Sequence, residues 1–377
     1  MPTPELIALL LRTTPGVTNI ILSPMRPAEV ERHGLILDMD LPSVPFLVPD
    51  DTSRIANELI GGNAKLQSRL HDDGSCDFAW FLPGFGRFRV SIFSQRGSYA
   101  LSLRVIPEEV PGFSSLGLPS RLAEIVGMRG GLVLVTGPGA SGKSSTLAAI
   151  LDRMNQEKPI RILTIEDPIE FLLPHIRATI HQRELYRDFP SFRMAMCAAL
   201  RQPPHVILLG AIPDRETMEL ALEAAEAGHL ILSSLHTPDA ARTFDHILCL
   251  FPEARHAGIR ARLAATVRMI VSQRLLARRD GTGCVAIFEI LRNTPRVRAC
   301  LKDGQEIGPL LEAAILEGGS DGMQSFEGEL ARLVKEGILD AASANGEDAL
   351  LIHGLDSKHP GQASAAQAAP AKKPGQR

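Results

Sequence analysis

The sequence predicts an α/β protein: a largely parallel sheet covered by helices on both faces, preceded by a small α+β domain. Three observations carry this. From residue 119 to about 345, apolar runs that read as buried strands alternate with helix-forming runs. Residues 1 to about 108 instead hold short runs with period-two alternation, such as Phe88, Val90 and Ile92. Between the two regions Pro107, Pro111, Gly112 and Gly117 punctuate the chain and place a linker at 109–118.

In the first domain, 1–108, residues 5–12 and 52–60 read as helices, and residues 19–22, 34–37, 88–93 and 99–105 as strands. In the second, 119–345, the buried-strand candidates are 131–136, 161–165, 205–209 and 230–235. One intervening helix is well delimited. Asp214 can cap its start, Gly228 can end it, and Met218, Ala221, Leu222 and Ala225 form an apolar stripe suited to core packing. Residues 346–377 are poor in apolar side chains and rich in Ala, Pro, Gln and Lys, and are expected to be a disordered tail.

Composition narrows the function classes. Net charge is −3 and aromatics are 5% with one Trp, so neither a basic footprint nor a base-stacking platform points to nucleic acid. Five cysteines stand singly with no CxxC pair, which argues against a zinc site or a disulfide framework. The sequence contains no apolar run of bilayer-spanning length and no signal-peptide pattern, so a cytoplasmic location is expected.

The strongest motif is Gly137-Pro138-Gly139-Ala140-Ser141-Gly142-Lys143-Ser144, followed by Ser145. It matches G-x-x-x-x-G-K-[ST], with a β-rich apolar run before it and a helix-forming run, 145–151, after it. Glycines let backbone N–H groups wrap a β-phosphate, and the helix N-terminus adds its dipole. Lys143 is expected to reach the β- and γ-phosphates and the Ser144 hydroxyl to ligate Mg²⁺, so the expected cofactors are ATP and Mg²⁺. Downstream, Glu166-Asp167-Pro168-Ile169-Glu170 follows a strand candidate, which places its carboxylates at the C-terminal edge of the sheet where ligands bind.

Together these segments resemble the secretion and pilus ATPases, most closely the PilT-type retraction ATPases of type IV pili. The Glu166 and Glu170 cluster resembles that family's Asp box. His229 and His236, in GHLILSSLHTPDAARTFDHI, resemble its His box, and Gln182, Arg183 and Glu184, in IHQREL, match a further family segment. GRFRVSIFSQRG and LRVIP are similar to its PAS-like N-terminal domain, where Arg87, Arg89, Arg96 and Arg104 match arginines that reach toward nucleotide near domain and subunit junctions. VSQRLLARRDGTGCVAIFEIL and GMQSFEGELARLVKEGIL resemble its C-terminal part, so the likeness covers about residues 5–340. The resemblance implies a RecA-like P-loop ATPase core, a homo-oligomeric ring expected to be hexameric, and a His box that senses nucleotide state and couples neighbouring subunits. It also implies docking on an inner-membrane platform protein of a pilus or secretion machine, hence a peripheral position at that membrane.

The chain departs from the family around one strand. The Walker B segment His205-Val206-Ile207-Leu208-Leu209-Gly210-Ala211 has Ala211 where the family has glutamate. The D-P-D before that strand reads Pro203-Pro204-His205, and an arginine beyond it reads Pro213, while Asp214 remains. A methyl group cannot position water, and such groups contribute roughly 10²–10⁴ in rate. The retraction motif reads Arg296-Val297-Arg298-Ala299-Cys300-Leu301-Lys302-Asp303, with its charge pattern largely kept. Three readings stay open: a ring motor ATPase in which arginine fingers of one subunit complete the neighbour's site, with Glu166 able to substitute as base; a hydrolysis-weak accessory paralogue that tunes an active pilus ATPase; and a nucleic-acid-acting enzyme on the same RecA-like core.

Overall fold

The computed structural model describes residues 1–32, 35–41, 45–107, 109–281, 283–303 and 307–340. The expected tail, 346–377, lies outside the described residues.

The N-terminal part holds helix α1 (Thr3–Thr13), strands β1 (Asn19–Leu22), β2 (Glu29–Arg32) and β3 (Leu35–Asp38), helices α2 (Pro49–Ile60) and α3 (Ala64–Asp72), and strands β4 (Ser75–Leu82), β5 (Gly86–Gln95) and β6 (Ser98–Ile106). The strands form one antiparallel sheet of order β3-β2-β1-β6-β5-β4, the PAS-like domain expected from sequence. Period-two alternation fixes its two faces. Phe88, Val90, Ile92, Leu101 and Leu103 are buried in one core with Leu6, Ile7 and Leu10 of α1, Ile55 and Leu59 of α2, and Leu66 and Leu70 of α3. Arg87, Arg89 and Arg104 alternate with these residues and occupy the other face.

The C-terminal part begins with the short helix α4 (Glu124–Gly127), strand β7 (Gly131–Thr136), helix α5 (Lys143–Glu157), strands β8 (Arg161–Glu166) and β9 (Thr179–Glu184) and helix α6 (Phe192–Leu200). It continues through β10 (Val206–Leu209), α7 (Arg215–Glu226), β11 (Leu230–Leu235), α8 (Ala240–Cys249), α9 (His256–Thr266), β12 (Val267–Ala277), β13 (Cys284–Arg292), α10 (Pro295–Asp303), α11 (Ile307–Glu317) and α12 (Phe326–Lys335). The seven strands run in the order β13-β12-β7-β11-β10-β8-β9. Every pairing is parallel except the β12–β13 hairpin. This is the RecA-like α/β core.

Both faces of this sheet are covered, which explains why its strands read as continuous apolar runs. Leu132, Leu134, Leu163, Ile165, Ile207, Leu209 and Ile231 pack against α6 to α11. Val133, Val135, Ile162, Val206, Leu208, Leu230 and Leu232 pack against α4 and α5 on the opposite side. Asp214 caps α7 by accepting from Thr217 N at 2.7 Å, and Met218, Ala221, Leu222 and Ala225 of that helix are buried. The expected helix at 145–151 is longer at both ends, Lys143–Glu157, because the loop glycines lead straight into the helix. Strand β10 starts at Val206 rather than His205, and β3 runs Leu35–Asp38 with all four residues exposed instead of spanning 34–37.

Candidate functional site

The loop 137–142 links the C-terminal end of β7 to the start of α5. Its shape depends on particular glycines. Gly137 sits at φ +146°, and a Cβ there would lie 2.2 Å from the Gln273 carbonyl oxygen. Gly142, at φ +86°, turns the chain into the helix. Ala140 also lies in the left-handed region, φ +59°, although it carries a Cβ. Pro138, Gly139 and Ala140 form the more open tip of the loop, while Gly137, Ser141 and Lys143 are buried and Ser144 and Ser145 half-buried.

Lys143 Nζ donates to the carbonyls of Gly137 (2.9 Å) and Pro138 (2.7 Å), and His236 Nδ1 lies 3.5 Å away. Burial pushes the ammonium down to about 8, opposed by the negative charge of Glu170. His236 is likewise held below the usual imidazole range, first by burial and then by the Lys143 charge.

Across a cavity from the loop, β8 delivers Glu166. Ser144, Glu166, Glu170, Gln182, Gly210 and Ser234 all line this cavity. Glu166 is buried, and its Oε1 accepts from Thr164 Oγ1 at 2.5 Å and from Gln182 Nε2 at 3.2 Å. Burial raises its carboxyl to about 7, and Glu170 adds like-charge repulsion, while the hydrogen-bond donors pull the other way. Glu170 is half-exposed and lies 3.6 Å from Arg89 of the N-terminal domain. Glu184 Oε2 accepts from Arg87 Nη2 at 3.0 Å and from Ile169 N at 3.2 Å. Arg183 turns away, donating to the Asp188 carbonyl and stacking over Phe189.

The structure separates other residues that the sequence grouped. Thr136 and Leu235 are register partners, so His236 leaves β11 at the loop end, whereas His229 precedes the strand at its opposite end. Six strand residues intervene, placing His229 about 20 Å from the loop. There its Nδ1 donates to the Pro204 carbonyl at 2.7 Å. Within a single chain only His236 therefore lies at the loop. Of the four arginines, Arg87 and Arg89 reach the C-terminal domain. Arg104 is the register partner of Arg89 and exposed, with no ion pair among the described residues. Arg96 forms the β5–β6 turn with Gly97, at φ +48°, at the far end of that hairpin.

Ala211 is half-buried, and its methyl packs against the apolar cluster formed by the sheet and helices α6 to α11. Its neighbour Gly210 faces Glu166, where a Cβ would come 3.2 Å from the Glu166 Cα. The position that would carry the family's Walker B carboxylate is therefore absorbed into apolar packing.

A polar network beneath the loop escaped the sequence reading. Gln273 Nε2 donates to Ser141 O and its Oε1 accepts from Thr146 Oγ1, both at 2.7 Å, which clamps the loop to β12. Thr136 Oγ1 donates to Ser272 Oγ (3.1 Å), and Ser272 donates on to Glu289 Oε1 (3.2 Å), which also accepts from Ala240 N. The available signal was the polar pair Ser272-Gln273 inside the apolar run of β12. Buried polar groups of this kind are kept where they satisfy one another.

A glycine-shaped loop between a central parallel strand and a helix, with a lysine at its base and a carboxylate across the cavity, defines a P-loop nucleotide-binding protein. The chain belongs to the type II/IV secretion system protein family, which matches residues 66–307. It is 36% identical over 347 residues to a twitching motility protein of Neisseria gonorrhoeae, covering 90% of this chain and 89% of that one. It is 39% identical over 282 residues to the type IV pilus retraction ATPase PilT of Pseudomonas aeruginosa, covering 75% and 81%. The crystal structure of the pilus retraction motor PilT with bound ADP is similar at a TM-score of 0.81 and 36% identity, over 93% of this chain and 97% of that one. The Legionella pneumophila ATPase DotB follows at 0.77 and 26%, over 90% and 94%.

Proposed function

We propose that this chain is an ATP-dependent ring ATPase that serves type IV pilus retraction or a related secretion machine. Residues 1–108 form its N-terminal domain, 109–118 the linker and 119–345 the ATPase domain. One observation carries the reading: Ser144 of the phosphate loop and the buried Glu166 face one cavity. Residues 137–145 wrap the β- and γ-phosphates, and Lys143 exchanges its loop carbonyls for phosphate oxygens. Glu166, raised to about 7, is basic enough to take a proton from an attacking water and can release it again near neutral pH. Glu170 completes the acidic wall, and His236 beside Lys143 reports on the γ-phosphate.

Mg²⁺ fits this donor set. No group of three His, Cys, Asp or Glu among the described residues could hold a metal. Mg²⁺ characteristically relies on substrate phosphates with few protein ligands, here the Ser144 hydroxyl. When bound it supplies charge neutralisation to the phosphates.

The relatives' names support pilus retraction as the process. A homo-oligomeric ring, hexameric by analogy, gives Arg104 and His229 a role that one chain denies them, since each can act only toward a neighbour. The ring works in the cytoplasm against an inner-membrane platform protein; no helix among the described residues is long and apolar enough to cross a membrane. Ala211 supports a second reading, an accessory subunit that binds ATP weakly coupled to hydrolysis and tunes an active paralogue. Steady-state hydrolysis by the purified protein, alone and mixed with an intact PilT-type ATPase, separates the two. Turnover alone that is abolished by Glu166→Gln supports the motor. Turnover that appears only in the mixture supports the accessory subunit, and ATP binding abolished by neither Lys143→Ala nor Ser144→Ala overturns both.

A further inference from the structure

Gln182 sits on the edge strand β9, where a polar side chain has water within reach, yet all its polar atoms turn inward. Its Nε2 donates to Glu166 Oε1 at 3.2 Å and to the Phe171 carbonyl at 2.8 Å, and its Oε1 accepts from Leu173 N at 2.8 Å. One carboxamide thus holds the buried carboxylate and both backbone groups of the loop that follows it. We propose that Gln182 is the positioning residue of the hydrolytic site, fixing Glu166 and the 167–173 loop in one arrangement facing the phosphate loop. The inference rests on the reading of Glu166 as the base.

The chemistry requires an amide. Holding Leu173 N takes an acceptor, while holding Phe171 O and Glu166 takes donors. Glutamate offers no donor when ionised, and leucine offers neither. Thr164 Oγ1 converges on the same Glu166 oxygen, so two neutral donors stabilise the carboxylate without neutralising it. The charged groups bearing on this arrangement are Asp167 and Glu170 from the loop itself, Arg89 against Glu170, Glu184 of β9 with its partner Arg87, Arg69 and Asp77 near Asp167, and Lys143 from α5. No cation pairs directly with Glu166 among the described residues, which leaves its basicity to these donors and to burial. Removing a donor to a carboxylate raises its proton affinity.

The test uses the full chain with Gln182→Leu and Gln182→Glu. Nucleotide binding, measured with ADP, is expected to stay within about twofold of wild type, which also reports folding. kcat for ATP is expected to fall about tenfold to a hundredfold with KM little changed. The acidic limb of the pH–rate profile is expected to move up by about one pH unit in Gln182→Glu, where a second carboxyl joins the first. A uniform loss of rate with an unmoved limb overturns the proposal and leaves Gln182 a strut. A second readout does not need activity. Glu166 is held above its ordinary range, so its contribution to stability falls as pH rises from about 4 through 7. In both Gln182 variants that fall in Tm should extend to higher pH, and Glu166→Gln should abolish this pH-dependent difference between wild type and variant, leaving a constant offset from the lost Phe171 and Leu173 bonds. If the pH-dependent difference persists in the Glu166→Gln background, Gln182 does not act through Glu166. If Tm behaves as expected but Glu166→Gln leaves hydrolysis intact, the positioning stands and the reading of Glu166 as the base fails.

Discussion

Arg87 and Glu184 form a largely buried ion pair across the domain boundary, Nη2 to Oε2 at 3.0 Å, with the carboxylate the more enclosed partner. The same carboxylate oxygen accepts the backbone N–H of Ile169, three residues beyond Glu166. The N-terminal domain therefore grips the segment that carries Glu166 and Glu170, and Arg89 adds a more exposed contact to Glu170.

This pair yields the first prediction. Arg87→Ala leaves Glu184 buried with only one of these two partners, and breaking a buried pair costs about 3–5 kcal/mol. Urea unfolding should show a loss in that range. Arg89→Ala, at a half-exposed pair, should cost under about 1 kcal/mol. Equal small losses at both positions would mean that the domains do not rely on this contact.

The second prediction concerns loop strain. Ala140 holds φ +59°, a conformation that costs an L-residue roughly 1–2 kcal/mol, whereas glycine adopts it freely but loses about 0.5–1 kcal/mol of chain entropy. Ala140→Gly should therefore stabilise the protein by about 0.5–1 kcal/mol, read as a raised urea midpoint, with ADP affinity retained. Destabilisation would indicate that the methyl makes contacts that offset its strain.

Much of this architecture was legible in the sequence, for identifiable reasons. Strands β7 and β11 matched their apolar runs residue for residue because both sheet faces are buried. The phosphate loop was legible because its glycines have steric causes, Gly137 against Gln273 above all. Strand β9 is hard to recognise because TIHQRE is a polar edge strand that gives the core one apolar side chain, Ile180, while Gln182 and Glu184 turn to the site. The two histidines were grouped by motif, although six extended residues between them already imply about 20 Å. Gln182, Thr164 and Gln273 could be recognised by type but not by role, since their partners lie elsewhere in the chain.

The third prediction follows from Lys143. Its ammonium is held near about 8 by burial, so above that pH the loop increasingly presents a neutral amine. Bound phosphate favours the charged form and raises its proton affinity, so binding takes up a proton above pH 8 and affinity falls there. Calorimetric ADP titrations at pH 7, 8 and 9, each in two buffers of different ionisation enthalpy, should show Kd weakening by up to about tenfold per pH unit above 8, with proton uptake. Lys143→Ala should bind weakly at every pH without that dependence. A flat wild-type profile would place the lysine outside phosphate contact.

The fourth prediction returns a carboxylate to the Walker B position. Ala211 packs its methyl on the apolar core cluster, while Gly210 beside it abuts the Glu166 backbone. In Ala211→Glu the side-chain stem can lie along that apolar layer with its carboxylate at the strand's end. The half-buried position makes a cost of about 1–3 kcal/mol in stability reasonable. Against it stands a gain in water positioning. We expect turnover to rise at least about tenfold, which corresponds to about 1.4 kcal/mol of transition-state stabilisation. Stopped assays of phosphate release, paired with ADP binding and oligomer size, measure this directly. If turnover does not rise while binding and assembly are intact, Ala211 is not the limiting defect. The constraint then lies in what a neighbouring subunit contributes, Arg104 or His229, and the same assay on Arg104→Ala decides between that and a site already running on Glu166 alone.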